Sequence, residues 1–344
     1  MNAPDPSSEQ PHKRRVRYSG RNPRRFDQKY KEHDPARYAE TVAKVLASGK
    51  TPAGSHRPIM VAEILAVLDP KPAEVVVDCT LGHGGHVQEI LPRIQPGGRL
   101  IGLDADPLEL PRTEARLRAL GFGAEIFTAH RSNFAGLQKV LAAENCAGAD
   151  LILADLGVSS MQIDNPARGF SIKAEGPLDM RMNPSRGQPA SALLKKSTAA
   201  ALASLFSENA DEPHAELLAD ALAGRSFETT TALAATVCGA VPRKEQEDSV
   251  RRIFQALRIA VNEEFSALDA LLRSLPLCMN PGGRATFLTF HSGEDRRVKK
   301  AFEAGLHDGV FSDIADEVIR PTPRERHDNP RSSSAKLRWA RRGG

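Results

Sequence analysis

The chain has 344 residues, of which 40% are hydrophobic and 26% charged, and its formal net charge is +4. This composition is ordinary for a globular protein, and the length suffices for one large domain or one domain with an insert. No run approaches about 18 consecutive apolar residues and the N-terminal region lacks a secretory apolar core, so we expect neither a membrane span nor a signal peptide.

The positive charge is concentrated in two regions. Residues 1–37 hold ten Lys and Arg against five Asp and Glu, and residues 320–342 hold eight against two. Basic regions of this kind fit a polyanionic partner such as RNA, because Lys and Arg displace counterions from phosphates. Basic tails that only improve solubility are the alternative.

The cysteines indicate the compartment. Four of them (Cys79, Cys146, Cys238 and Cys278) are scattered without a C-x-x-C motif. This spacing suggests a reducing cytoplasm and no disulfide framework. We therefore expect a cytoplasmic protein.

Helices and strands alternate in the first half of the chain. Residues 1–50 are rich in Pro, Arg and Ser and are predicted to form a mostly disordered basic arm, with one helix over 37–48. The apolar patterns then predict helices over 56–68, 86–94 and 107–120, and strands over 75–80, 99–106, 124–130 and 149–158. This alternation predicts a parallel sheet covered on both faces, with ligands bound at the carboxyl ends of its strands.

The alternation stops after the fourth strand. Three short Ala-rich segments, 191–207, 213–223 and 230–240, have helical patterns, and we interpret 166–245 as an inserted helical domain. A long amphipathic helix over 249–273, a strand over 282–292 and an edge strand over 333–342 follow. The sheet domain is thus predicted to comprise 51–165 and 246–344.

The stretch VVVDCTLGHGGH (75–86) has the strand, glycine turn and helix of a nucleotide-binding first turn. Glycines let the backbone approach a ligand, and the helix N-terminus offers free N–H groups. A dinucleotide motif would be G-x-G-x-x-G, but Val87 stands where the third glycine belongs. A P-loop is excluded because no Gly-Lys-Ser/Thr follows. Cys79, His83 and His86 suggest a metal site, but a zinc site needs more ligands at firmer spacing.

S-adenosylmethionine fits this region best. Asp78 and the backbone of Gly82–Gly85 suit its amino acid end, and Asp104, at the end of the second strand, suits its ribose diol. The segment around Phe134 would supply an apolar wall for adenine. The sulfonium would then point toward the end of the fourth strand.

The fourth strand ends in Asp155, followed by Gly157 and the Ser159–Ser160 turn. A capped turn alone would explain these residues, since Ser, Gly and Asp favour turns. A carboxylate there would also lie beside a methyl donor. The segment that follows, MQIDNPARGFSIKAEGPLDMRMNP, is long and irregular, and such segments at a strand's carboxyl end are often functional.

A family resemblance is carried by motifs that occur in order along residues 55–341: HRPIM, DCTLGHGGH, LDADP, DLGVSSMQID, RGFS, GPLDMRM, RIFQALRIAVNEE, TFHSGEDRRVK and NPRSSSAKLR. Together they resemble the bacterial 16S ribosomal RNA (cytosine-N4)-methyltransferase family, RsmH or MraW. The resemblance implies an α/β, class I methyltransferase fold, with a Rossmann-like, mostly parallel sheet and an inserted all-helical domain. It implies S-adenosylmethionine as cofactor and N4-methylation of a cytidine in the decoding centre of 16S rRNA within the small ribosomal subunit. We expect a monomer or homodimer, no membrane partner and no metal.

The resemblance implies positions for the methyl donor, and the placement of polar and basic residues in the sequence suggests the catalytic and RNA-contacting candidates. The positions expected to bind the methyl donor are Gly84, Gly85, His86, Asp104, Phe134, Asp155 and Gln162. The candidate catalytic residues, each of which could accept a hydrogen bond from the amine, are Asp155, Ser159 and His291. The plausible RNA phosphate contacts are Arg168, Arg181, Arg258, Arg331, Lys336 and Arg338.

The chain departs from the family pattern in three places. Residues 207–216 read SENADEPHAE where an acidic Gly-Glu-Glu followed by a basic residue is usual. Residues 247–252 read EDSVRR where a His-Pro-Ala-Thr-Arg stretch is usual, and Gly293 stands where leucine is more usual. The alternative function is therefore an RNA-binding assembly factor that retains the donor pocket but has little turnover. A dehydrogenase on a doubly wound sheet is a third, weaker interpretation, because the third glycine is missing.

Overall fold

The computed structural model describes residues 58–344. The predictions made for the arm at 1–50 and for the helix over 37–48 lie outside this range. Within it, no helix combines the length and the apolarity that crossing a bilayer requires.

A seven-stranded mixed sheet forms the centre of the described chain. Its strands are β1 Val75–Asp78, β2 Arg99–Asp104, β3 Phe127–Arg131, β4 Ala149–Asp155, β5 Met279–Thr289, β6 Phe311–Ile314 and β7 Lys336–Arg342. The spatial order is β3-β2-β1-β4-β5-β7-β6. Strands β1 to β5 are parallel, and β7 runs antiparallel to both of its neighbours. The class I methyltransferase fold expected from the sequence is confirmed.

Helices cover both faces of this sheet. The helices of the sheet region are α1 Val61–Leu68, α2 Gly85–Ile90, α3 Leu110–Ala119, α4 Leu137–Ala143 and α5 Ser160–Asp164, and later α11 Glu264–Cys278, α12 Ser292–His307 and α13 Pro323–Asp328. Consecutive residues of a strand lie on opposite faces of the sheet. Val76 belongs to the hydrophobic core formed with α1 to α3, whereas Val77 belongs to the core formed with α4, α11 and α12. The strands are buried on both faces, which is why they read as continuous apolar runs.

The helical insert has a hydrophobic core of its own. Its helices are α6 Ala190–Lys196, α7 Ala199–Ala210, α8 Ala215–Leu222, α9 Thr230–Ala240 and α10 Gln246–Asn262. Phe206, Leu218 and Leu233 meet there with Ile253 and Leu257 of α10. Side chains of α10 thus complete this core beyond residue 245, where the sequence interpretation ended the insert.

Three predicted elements differ in the structure. The single helix over 249–273 is two helices, because Glu263 adopts a left-handed conformation (φ 52°) that ends α10 and starts α11. The strand expected over 282–292 is Met279–Thr289. The strand near the end of the sequence, β7, is not an edge strand: it lies between β5 and β6, and β6 was not predicted.

Candidate active site

A cavity of about 450 Å³ lies at the carboxyl ends of the strands. Its walls come from Cys79–Gly82 after β1, Asp104–Asp106 at the end of β2, and Asp155–Gly157 at the end of β4. Arg258 of α10 and Glu264 of α11 close the side toward the insert. The volume lies in the range typical of small-molecule sites.

The glycine turn forms one end of this cavity. Gly84 has a φ of 65°, and a Cβ atom there would lie 3.1 Å from the Thr113 side chain of α3, so this position suits glycine. Gly85 and His86 line the cavity, whereas Gly84 is not part of its wall. The turn is tied to the next strand, because the Gly82 N–H donates to Asp104 Oδ2 at 2.7 Å.

Asp104 is held in place by two backbone donors. Besides Gly82, the N–H of Asp106 donates to Asp104 Oδ1 at 2.8 Å. Burial raises the pKa of Asp104 to about 6 despite these hydrogen bonds. The carboxylate is therefore positioned where a ribose diol could donate to it.

Asp78 supports the site from below and does not line the cavity. Its Oδ1 accepts the Thr80 N–H at 2.9 Å, and Thr80 Oγ1 in turn accepts the Asp155 N–H at 2.6 Å. Burial raises the pKa of Asp78 to about 6. This differs from the expectation that Asp78 would face the donor's amino acid end.

Asp106, which the sequence interpretation did not single out, links three segments. It is 1% exposed, and its Oδ2 accepts from Gln162 Nε2 and from Arg168 Nη1, both at 2.8 Å. Gln162 also forms a capping box with Ser159 at the start of α5. The Gln162 amide therefore orders the wall of the cavity that follows β4.

The candidate catalytic residues occupy different surroundings. Asp155 lines the cavity, and its Oδ2 lies 3.4 Å from His86 Nε2. Ser159 also lines the cavity, but its Oγ already accepts the Gln162 N–H at 3.2 Å. His291 is only partly buried and does not line the cavity; its ring lies 5.7 Å from that of Phe265, and its Nε2 lies 3.2 Å from Glu294 Oε1. Glu294, which the sequence interpretation missed, lines the cavity in its place.

All six basic residues that were predicted to contact RNA are in ion pairs with carboxylates. The pairs are Arg168–Asp106, Arg181–Asp179, Arg258–Glu264, Arg331–Asp164, Lys336–Asp295 and Arg338–Asp295. Arg168 is 8% exposed and Arg338 is 9% exposed, so neither presents a free guanidinium to a phosphate. Their burial and ion pairs argue against the predicted phosphate contacts of these two residues. Arg258 and Arg331 line the cavity.

The residues present fit S-adenosylmethionine. The buried Asp104 carboxylate, the ring of Phe134 and the turn at Gly85 and His86 line the same cavity. Cys79, His83 and His86 do not form a ligand set: the His83 ring contacts Arg116, and His86 faces Asp155. Within residues 58–344, no group of three or more Cys, His, Asp or Glu side chains is arranged to hold a metal ion.

Comparison with known proteins identifies the family of this chain. Residues 53–343 match the MraW methylase family. Ribosomal RNA small subunit methyltransferase H 1 of Lachnoclostridium phytofermentans is 45% identical to this chain, in an alignment that covers 98% of this chain and 95% of that protein. Ribosomal RNA small subunit methyltransferase H 2 of Alkaliphilus metalliredigens is 46% identical (96% and 98% covered), and the enzyme H of Halorhodospira halophila is 41% identical (86% and 97% covered). The chain therefore belongs to the MraW methylase family.

Proposed function

We propose that this protein methylates N4 of a cytidine in the decoding centre of 16S rRNA within the small ribosomal subunit. Members of its family are S-adenosylmethionine-dependent rRNA methyltransferases. The observation that carries this proposal is that two carboxylates, Asp104 and Asp155, line one cavity. Asp78 of β1 pairs with Gly102 of β2 and with Leu153 of β4, and each carboxylate lies two residues beyond its strand's partner of Asp78. Because one strand separates them, their Cα atoms lie roughly 10 Å apart.

The two carboxylates have different tasks in this proposal. Asp104, fixed by two N–H donors, accepts hydrogen bonds from the ribose diol of the donor, and the Phe134 ring packs against its adenine. Gly85 and His86 face the amino acid end. When bound, S-adenosylmethionine supplies an electrophilic methyl group on its sulfonium. Asp155 at the end of β4 is then left for the acceptor amine.

The N4 amine of cytosine is a weak nucleophile, because its lone pair is delocalised into the ring. A carboxylate that accepts a hydrogen bond from this amine favours rehybridisation of N4 toward sp3, so the lone pair is less delocalised and can point at the methyl carbon. With the donor bound, attack by N4 on the methyl carbon would leave the electron pair of the methyl–sulfur bond on sulfur, and the carboxylate would accept the proton that N4 loses. Positioning of this kind contributes about 7–11 kcal/mol in favourable cases. We assign the acceptor role to Asp155, supported by Thr80 and His86.

The three candidates for this role are not equivalent. Ser159 retains a free lone pair on Oγ but is committed to capping α5, and His291 acts on the cavity only through Glu294. The cytidine itself must be unstacked to bring N4 into the cavity. The basic residues within 1–37, together with Arg181 and Arg331, which are not fully buried, would contact the surrounding RNA.

The test is methyl transfer from labelled donor to small-subunit particles that lack the modification, followed by nucleoside mass spectrometry. We expect N4-methylcytidine at one position. A methylated nucleoside of another kind would contradict the base and atom proposed here. Measurable donor binding without any transfer would favour the assembly-factor alternative and direct attention to residues 207–252.

A further inference from the structure

Glu294 is a buried carboxylate on the cavity wall with no role in the mechanism so far. It is 3% exposed and stands in the first turn of α12. Its Oε2 accepts the N–H of Phe290 at 2.8 Å, which fixes the side chain. Burial acts to raise its pKa, but His291, Arg258 and the Phe290 N–H hold the pKa of Glu294 below its usual value. It is therefore an anionic hydrogen-bond acceptor at neutral pH.

The position of Glu294 relative to Asp155 follows from the strand register. Asp155 pairs with Leu288 of the adjacent strand β5, and Phe290, which holds the Glu294 carboxylate, is two residues further along. Both carboxylates line the same cavity. An exocyclic amine has two hydrogens, so its full alignment needs two acceptors, and this wall supplies a second one.

Arg258 adds a donor beside this carboxylate. Its Nε and Nη2 donate to the two oxygens of Glu264, each at 2.8 Å, which locks the guanidinium plane. These two hydrogen bonds do not use Nη1, and the side chain lines the cavity. A rigid N–H donor is thus available next to an anionic acceptor.

We propose that Glu294 accepts the second hydrogen bond of the cytosine N4 amine and that Arg258 Nη1 donates to the adjacent acceptor edge of the same base. This inference rests on the proposed function. The pair distinguishes cytosine from uracil, because uracil presents an O4 acceptor to the carboxylate and an N3–H donor to the guanidinium. The carboxylate would then face the O4 acceptor and the guanidinium would face the N3–H donor, each without a hydrogen bond, which disfavours uracil.

The test is Glu294→Gln, which keeps the shape and the Phe290 contact but removes the charge and adds a donor. Glu303→Gln, an exposed position on the same helix, is the matched control. We expect kcat on small-subunit particles to fall about 100-fold, with the Kd for S-adenosylmethionine unchanged within twofold. In competition binding, wild type should prefer particles with the target cytidine over particles with uridine at that position by about tenfold, and the variant by less than twofold.

A Glu294→Gln enzyme that retains at least a third of wild-type turnover and the full cytidine preference would overturn this inference. Failure of the proposed function is distinguishable, because wild type itself would then form no N4-methylcytidine. If the Gln variant does not fold, judged by thermal unfolding and donor binding, Glu294→Asp withdraws the carboxylate by one methylene. The same losses are expected for it, and normal turnover would contradict the inference.

Discussion

Replacement of Arg168 by alanine tests whether this residue is structural or contacts RNA. Its guanidinium pairs with Asp106 at 2.8 Å and donates to the carbonyls of Arg181 and Met182 at 3.1 and 2.8 Å. Removing one partner of a buried pair costs about 3–5 kcal/mol, because the other charge is left uncompensated. The cost should be smaller here, because the Gln162 side chain and the Leu108 N–H would still donate hydrogen bonds to the Asp106 carboxylate.

We therefore expect Arg168→Ala to lower the free energy of unfolding by about 3 kcal/mol, at the lower end of that range. Domains of this kind have a total stability of about 5–15 kcal/mol, so the loss is large. The measurement is urea unfolding of the donor-free protein, followed by circular dichroism. Lys173→Ala, an exposed position on the same segment, should change stability by less than about 0.5 kcal/mol.

A double variant identifies the origin of the loss. If the ion pair is responsible, Asp106→Asn combined with Arg168→Ala should cost less than the sum of the two single changes by about 1 kcal/mol or more. The structural assignment would be refuted if Arg168→Ala unfolded at the wild-type urea concentration while the salt slope of RNA binding fell by about one, since that is the signature of a phosphate contact.

Three further predictions concern the donor, the amine and the RNA. Because burial raises the pKa of Asp104 to about 6, this carboxylate gains a proton as the pH falls through 6. In titration calorimetry, the affinity for the donor should stay the same above pH 6 and should fall about tenfold per pH unit below it. The Asp104→Asn variant should show no such pH dependence. Asp155→Ala should abolish methylation without changing thermal unfolding, whereas Asp313→Ala, exposed on β6, should leave turnover intact; near-wild-type turnover in Asp155→Ala would exclude an essential role. Deleting residues 1–36 should weaken RNA binding and flatten its salt dependence, and an unchanged slope would show that the arm does not contact RNA.

The sequence predicted the first four strands well, because parallel strands buried on both faces are continuous apolar runs. It failed where local pattern and tertiary position diverge. The strand β6 has four residues, FSDI, two of which are exposed, so it has no apolar run to detect. The helix boundary at Glu263 depends on one left-handed residue within an otherwise regular amphipathic pattern. The interior place of β7 is set by pairing with two strands that no periodicity in its own sequence reveals.

The site shows the same division. Asp104 and Asp155 could be predicted, because each ends an apolar strand and parallel strands bring their carboxyl ends together. The burial of Arg168 and Arg338 could not, because their partners Asp106 and Asp295 lie 62 and 43 residues away in the sequence. Glu294 was missed for a related reason: the adjacent His291 is the more conspicuous residue type, but the carboxylate reaches the cavity and the imidazole does not.

The interior position of β7 has a consequence for how the chain acquires its activity during synthesis. A ribosome releases β6 before β7, yet within the described chain β6 pairs only with β7. The sheet must therefore stay incomplete beyond β5 until residues 336–342 have emerged. Arg331 and Ser334, which line the donor cavity, immediately precede this strand and emerge equally late. A nascent chain of this protein should therefore complete the wall of its cavity only after residues 331–342 have emerged.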